Sequence, residues 1–172
     1  MLMDRIVGVF KLDVATFEAI EHDQNATGQA ALVVAIVAVL AAFGAGIGAQ
    51  FAGASFIANF ISAMIWTFIG WLLWSVISYF VGTALFGGTA TIGEMLRVIG
   101  FAYAPQMLAI IPCIGGLVGA IWSLIAGFIA IRQGLDLDDL RAFLTVVIGF
   151  AVYIIGNIAI NLVVGGIAAL MR

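Results

Sequence analysis

The chain has 172 residues, 65% hydrophobic and 9% charged, with a formal net charge of −3. Soluble domains carry about a quarter charged residues, so composition excludes a water-exposed globular protein. The acidic balance and the lack of any Lys/Arg cluster exclude nucleic acid as a partner and a polybasic anchor on anionic lipid.

Residues 1 to 23 mix Ile6, Phe10, Phe17 and Ile20 with Asp4, Arg5, Lys11, Asp13, Glu18 and Glu21. This reads as one or two short amphipathic helices on the bilayer surface, with Asp13 as N-cap of the second. The acids and the missing long apolar core argue against a cleavable signal peptide. We take residues 1–27 as a cytoplasmic amphipathic N-terminal segment and residues 28–172 as a five-helix transmembrane domain, making the chain an all-α, polytopic membrane protein. No Asp, Glu, Lys or Arg occurs from Gln24 through Gly93, from Val98 through Ile131, or from Ala142 through Met171. Each run exceeds the roughly 20 residues of one span.

The first membrane helix is expected at about 28–49. Thr27 would cap it, which makes the glycosylation-like Asn25-Ala26-Thr27 structural, and Gly44 and Gly48 would offer a close helix contact. The second, at about 57–85, places Trp66, Gly70 and Trp74 on one face with Trp71 beside them, a pattern for packing against small residues. Gly87-Gly88 supplies a turn, and Thr91 with Glu94 has the S/T-x-x-E spacing of a capping box that opens a third helix at Ile92. That helix, about 92–111, carries Gly93, Arg97, Gly100 and Ala104 on one stripe, is interrupted by Pro105 and stops at Pro112. Glu94, Arg97, Gly100 and Pro105 form the candidate interface, with Glu94 the nearest partner of Arg97 and Asp136, Asp138 or Asp139 able to add to it.

A fourth helix, about 115–132, ends with Arg132 in its last turn and Gly134 just past it. The third and fourth spans are short, so a shallow re-entrant hairpin is the alternative. Asp136, Asp138 and Asp139 read as N-terminal acids of the fifth helix in preference to a divalent-ion loop. The fifth, about 142–170, spaces Gly149, Tyr153, Asn157, Asn161 and Gly165 four apart. Tyr153, Asn157 and Asn161 are the candidate polar membrane face, as interhelical glue or as the lining of a pathway.

With five spans, Arg5, Lys11, Arg97, Arg132 and Arg141 fall on one side and Arg172 alone on the other. The positive-inside rule then puts the N-terminus in the cytoplasm and the C-terminus outside. His22 and Cys113, the one histidine and the one cysteine, would lie on opposite sides of the bilayer. They make no nucleophile and base pair, and neither a disulfide nor a Cys/His metal site can form within the chain. No catalytic residue, metal or cofactor is expected, and the chain reads as a non-enzyme.

The run Ser78 to Pro105, SYFVGTALFGGTATIGEMLRVIGFAYAP, resembles the signature of the Yip1 domain family, G-G-x-x-S/T-x-x-E-x-L-R-x-x-G-F/Y-x-x-x-P. The resemblance implies a five-helix membrane protein with a cytoplasmic N-terminus. In eukaryotes it also implies Rab-type GTPase binding and traffic between endoplasmic reticulum and Golgi. This chain has no long hydrophilic N-terminal region and no D-L-Y-G-P motif, which argues against a GTPase partner and for a compact prokaryotic form in the plasma (inner) membrane. The expected function is a non-catalytic organiser of membrane or protein partners, a membrane protein or a second copy, embedded in the lipid bilayer. The alternative is a small-solute channel or transporter.

Overall fold

The computed structural model of the chain describes residues 1–111 and 114–170, with side chains through residue 156. The described elements are helices α1 (Leu2–Phe10), α2 (Val14–His22), α3 (Ala26–Phe51), α4 (Phe56–Phe86) and α5 (Ile92–Ala102), a 3-10 segment (Ala104–Ile110), then α6 (Ile114–Gly134) and α7 (Asp139–Leu170). The protein is all-helical and integral to the membrane, crossing it several times. Helices α3, α4, α6 and the described part of α7 are long and apolar enough to cross a bilayer. Their outward faces are apolar: Leu32, Ile36, Val39, Phe43 and Ile47 line one side of α3 at steps of three and four. In water such a face would be a liability, whereas in lipid it is the solvated surface.

The expectation of five continuous spans is corrected at the third. Pro105 lacks an amide proton, so the α-helix stops at Ala102, turns at Tyr103 and resumes with the tighter 3-10 pattern. At about 1.5 Å and 2.0 Å of rise per residue, the two pieces together still cover roughly 30 Å. They run antiparallel to α6 over its whole length: Gly134 lies beside Val98, Gly119 beside Pro105 and Gly115 beside Leu108. Met95, Val98, Ile99, Phe101, Ala102, Ala104 and Pro105 are all buried. The broken segment is therefore the axis of the bundle, enclosed by α3, α4 and α6.

That enclosure is what makes the break tolerable. Irregular backbone at membrane depth must be buried in protein, because lipid offers its carbonyls no donor. Here glycines press against it. A Cβ at Gly44 of α3 would collide with the Ala109 carbonyl, one at Gly115 with the Leu108 carbonyl, and one at Gly119 would lie 2.9 Å from the Pro105 carbonyl oxygen. Close glycine approach of this kind allows weak Cα–H to carbonyl contacts. Gly48, the other half of the expected G-x-x-x-G pair, has nothing within 4 Å of such a Cβ.

Several local expectations change as well. Asn25, not Thr27, is the N-cap residue of α3, and the Thr27 hydroxyl donates to the Gln24 carbonyl. Gly134 does not stop α6 as a cap; its missing Cβ makes room for Val98 and Met95, and the left-handed residue after the helix is Asp136, φ 52°. Gly87, φ 70°, closes α4, with the Gly88 amide on the Gly82 carbonyl at 3.0 Å. Helices α1 and α2 form a hairpin against the half of the bundle where α3 begins, and Val9, Phe17 and Ile20 belong to the same core as Ala30, Val33, Val98 and Ile131. Pro112 and Cys113, assigned above to the outer turn, lie outside the described residues, as does Arg172.

Gly44→Ala and Gly115→Ala should each lower the thermal stability of the purified protein by about 1–3 kcal/mol, the usual cost of overpacking. The matched controls Gly48→Ala and Gly116→Ala, which meet open space, should stay within about 0.5 kcal/mol of wild type. Melting followed by circular dichroism in detergent measures both, and equal effects at all four positions would refute the enclosed break.

Candidate functional site

The end of α4, the start of α5, the end of α6 and the start of α7 meet at one end of the bundle; α2 packs over the same end, while α1 reaches further along the bundle to the 3-10 segment and to α6, where Trp122 Nε1 donates to the Phe10 carbonyl at 3.1 Å. The connection is direct: the Thr89 amide donates to the Leu135 carbonyl at 3.0 Å, and the Thr89 hydroxyl to the Asp136 carboxylate at 2.8 Å. Helix α5 opens with the capping box read from the sequence. The Glu94 amide donates to Thr91 Oγ1, and the Thr91 amide donates to Glu94 Oε2 at 2.7 Å. This box fixes the first turn of α5, and with it the direction in which Arg97 leaves the helix.

Arg97 is 6% exposed. Its Nε and Nη2 donate to the backbone carbonyl of Glu21, at 3.2 and 2.6 Å, 76 residues away in sequence. Glu21 is in the last turn of α2, where carbonyls are left without amide donors and the helix end is partially negative. A guanidinium is thus the C-terminal cap of a helix it does not belong to. Glu94 is a weaker second partner, its carboxylate 3.9 Å from Arg97 Nη2. The aspartates are not partners of Arg97, because each is engaged elsewhere. Asp136 takes the Thr89 hydroxyl, Asp138 caps α7 through the Arg141 amide at 2.9 Å, and Asp139 pairs with Arg132 at 2.7 Å.

Gly100 and Pro105 sit deeper on the same segment. Gly100 accepts close approach from Ala30 and from the indole of Trp71, whose Nε1 donates to the Leu96 carbonyl at 3.0 Å. Trp71 is therefore buried as a strut between α4 and α5, while Trp66 faces outward. Arg5 clamps α1 from the other side, reaching Asp23 at 2.7 Å and Gln29 at 2.9 Å. That hydrogen bond holds the Asp23 carboxyl below its ordinary value. Burial, with Asp136 adding repulsion and Glu94 a smaller share, raises the Glu21 carboxyl, and nearby His22 only partly opposes it.

Tyr153 lies away from this end. It lines a cavity of about 270 Å³ together with Gly70, Trp74, Tyr103, Gln106 and Ser123. Asn157 and Asn161 belong to α7 one and two turns beyond it, and their side chains lie outside the described residues. Four features went unread in the sequence: the Glu21 carbonyl, Tyr103, Gln106 and Ser123. A backbone carbonyl carries no sequence signal, but the other three are polar residues at membrane depth, the same signal that singled out Tyr153.

In comparison with known protein families, the model described as the Yip1 domain matches residues 7–160. No curated protein matches, and neither does any solved structure.

Arg97→Ala should cost about 1.5–3 kcal/mol, the range for a hydrogen bond to a charged group. Arg97→Lys should fall between it and wild type, since one ammonium cannot reproduce the guanidinium fork. Thermal melts of the three proteins in detergent measure this, and equal stability of Arg97→Ala and wild type would refute the cap.

A raised acid pKa means that the folded state holds the proton more tightly than the unfolded chain. The Glu21 contribution is then present below the ordinary value of 4.5 and lost as pH rises through the raised one. Glu21→Gln, which mimics the protonated form, should melt above wild type at neutral pH, with the difference closing toward pH 4.5. A lower melting temperature for Glu21→Gln at pH 7 would contradict the assignment.

Proposed function

The chain belongs to the Yip1 domain family, and from that premise we propose that it is a non-catalytic organiser of membrane or protein partners, acting in membrane traffic or homeostasis. The observation that carries this reading is the Arg97 cap. It joins the surface hairpin α1–α2 to the axis of the membrane bundle, so that hairpin and bundle move as one body. The hairpin presents a mixed outer face, with Met3, Val7 and Val14 exposed beside Asp4, Lys11 and Asp13. Such a face suits a bilayer surface, its apolar side chains entering the headgroup layer and its charges facing water. The partner is another membrane protein or a second copy of the chain, meeting the bundle at this charged end.

The membrane is the inner membrane of a prokaryote, with the charged end in the cytoplasm and the C-terminus outside. What supports this is the distribution of basic residues, five on one side against Arg172. Because the broken axis still runs the height of α6, it counts as one crossing. A second reading, passage of a small solute, has the cavity beside Tyr103 in its favour.

Reporter fusions after Gln24, Gly88 and Gly134 should report cytoplasm, and fusions after Gly53 and Arg172 the outside. An outside signal at Gly88 with an inside signal at Arg172 would invert the topology. For the role itself, crosslinked complexes purified from native membrane should retain a defined protein partner or a second copy with wild type, and lose it with Arg97→Ala. Solute flux into proteoliposomes without any such complex would favour the second reading.

A further inference from the structure

The cavity beside Tyr103 is not explained by the scaffold role, and an inference about it does not rest on that role. The break at Tyr103 creates it. Where α5 ends, the Tyr103 hydroxyl reaches toward α4 at Gly70, 3.3 Å from the position a Cβ there would take, and Gln106 follows one turn later on the 3-10 segment. Ser123 of α6 belongs to the same wall, although its hydroxyl oxygen is closed off from the open space. It is 9% exposed, and its Oγ has no hydrogen-bond partner among the described residues. The Tyr103 hydroxyl and the Gln106 amide are the polar groups that the broken segment brings to this space, and polar groups at membrane depth need partners. Gly127, one turn further on α6, has nothing within 4 Å of where a Cβ would stand.

The chemistry of the lining narrows the occupant. The polar lining groups are the hydroxyls of Tyr103, Tyr153 and Ser123, the amide of Gln106 and the indole of Trp74, and no described lining residue is charged. An ion would be desolvated here without a counter-charge, which excludes an anionic or cationic headgroup. A purely apolar occupant would leave the Tyr103 hydroxyl and the Gln106 amide facing hydrocarbon. About 270 Å³ falls short of the space that drug-sized ligands fill, roughly 300–1,000 Å³. It holds a headgroup but not a whole lipid. The rim supplies the exit for the rest: Leu124 of α6 and Phe150 of α7 line the cavity and are also 57% and 54% exposed on the lipid-facing surface.

We propose that this cavity binds the uncharged, oxygen-bearing headgroup of a membrane amphiphile, with its hydrocarbon tail leaving between α6 and α7 into the bilayer. Carbonyl or hydroxyl oxygens of the headgroup accept from Gln106 and Tyr103, and the apolar walls of Ile99 and Ala102 hold its carbon skeleton. Two sources share this chemistry, a quinone ring and the ester-linked glycerol of a diglyceride.

The full chain, reconstituted in phosphatidylcholine nanodiscs, is titrated with decylubiquinone, dioleoylglycerol and, as the charged control, oleate. Binding is read by native mass spectrometry and, for the quinone, by quenching of tryptophan fluorescence in a Trp66→Phe, Trp122→Phe background that keeps Trp74. We expect saturable binding of a neutral probe. Gly127→Leu, whose side chain enters the open space, should weaken it about tenfold or more, and the pair Gln106→Leu, Tyr103→Phe about tenfold through the lost hydrogen bonds. Both variants should keep the wild-type melting temperature. Binding of decylubiquinone alone assigns a ring carbonyl headgroup, and binding of dioleoylglycerol alone a glyceride; either supports the proposal. Failure of both probes to saturate overturns it, as does equal affinity in wild type and both variants, or oleate binding as tightly as the neutral probes. Glycerol flux that Gly127→Leu abolishes, with no amphiphile bound, overturns it in favour of a solute path.

Discussion

A guanidinium enclosed in an apolar protein must find hydrogen-bond acceptors within reach, and Arg97 finds them on a backbone carbonyl of another helix. The consequence is geometric. The Glu21 carbonyl is one of the last four of α2, which the helix cannot satisfy internally, so two needs are met by one contact. Because Arg97 is held by the capped first turn of α5 and Glu21 by α2, the surface hairpin cannot slide without leaving a buried charge unpaired. Breaking buried ionic contacts on one side costs more than the contact itself returns. The surviving Glu94 contact, 3.9 Å away, is too long to replace it.

The same segment carries a second constraint. From Tyr103 to Ile110 the backbone is not α-helical, yet it lies along the axis of the bundle. Lipid cannot satisfy those carbonyls, so protein must surround them. Side chains would hold the neighbouring helices away; glycine does not. This explains why Gly44, Gly115 and Gly119, from two different helices, converge on three carbonyls of one short segment. Among the described residues Gly48, Gly116 and Gly127 lack such contacts, so glycine abundance by itself does not mark the interfaces.

The class of the fold was legible because hydrocarbon leaves so few options: long uncharged runs become helices or nothing. The capping box at Thr91 and Glu94 was legible too, since it is local and its two hydrogen bonds join residues three apart. The partner of Arg97 was not. Glu94 is nearest in sequence, but the short contacts run to a backbone atom 76 residues away, and spacing rules see neither backbone acceptors nor distance in the chain. The proline break was visible as an interruption. Its outcome, a helix that ends and restarts as 3-10 instead of kinking, depends on which neighbours can approach, and that is tertiary information. Gly134 shows the same limit: its position suited a cap, yet packing against Val98 and Met95 took precedence.

The break and the cavity are two results of one change in backbone. A continuous α-helix through residues 102–110 would turn Tyr103 and Gln106 by about 100° per residue and keep its carbonyls inside the helix. The 3-10 segment advances faster and turns more per residue, so residues three apart stack on one side. Tyr103 and Gln106 are three apart, and both line the cavity. Glycines close the opposite side, where the segment meets α3 at Gly44. The segment thus has one face that is tightly sealed and one that is open and, though mostly apolar, carries two polar side chains. An interruption that served packing alone would need only the sealed face. The open face, with the Tyr103 hydroxyl and the Gln106 amide on it, is the part of the break that packing does not explain.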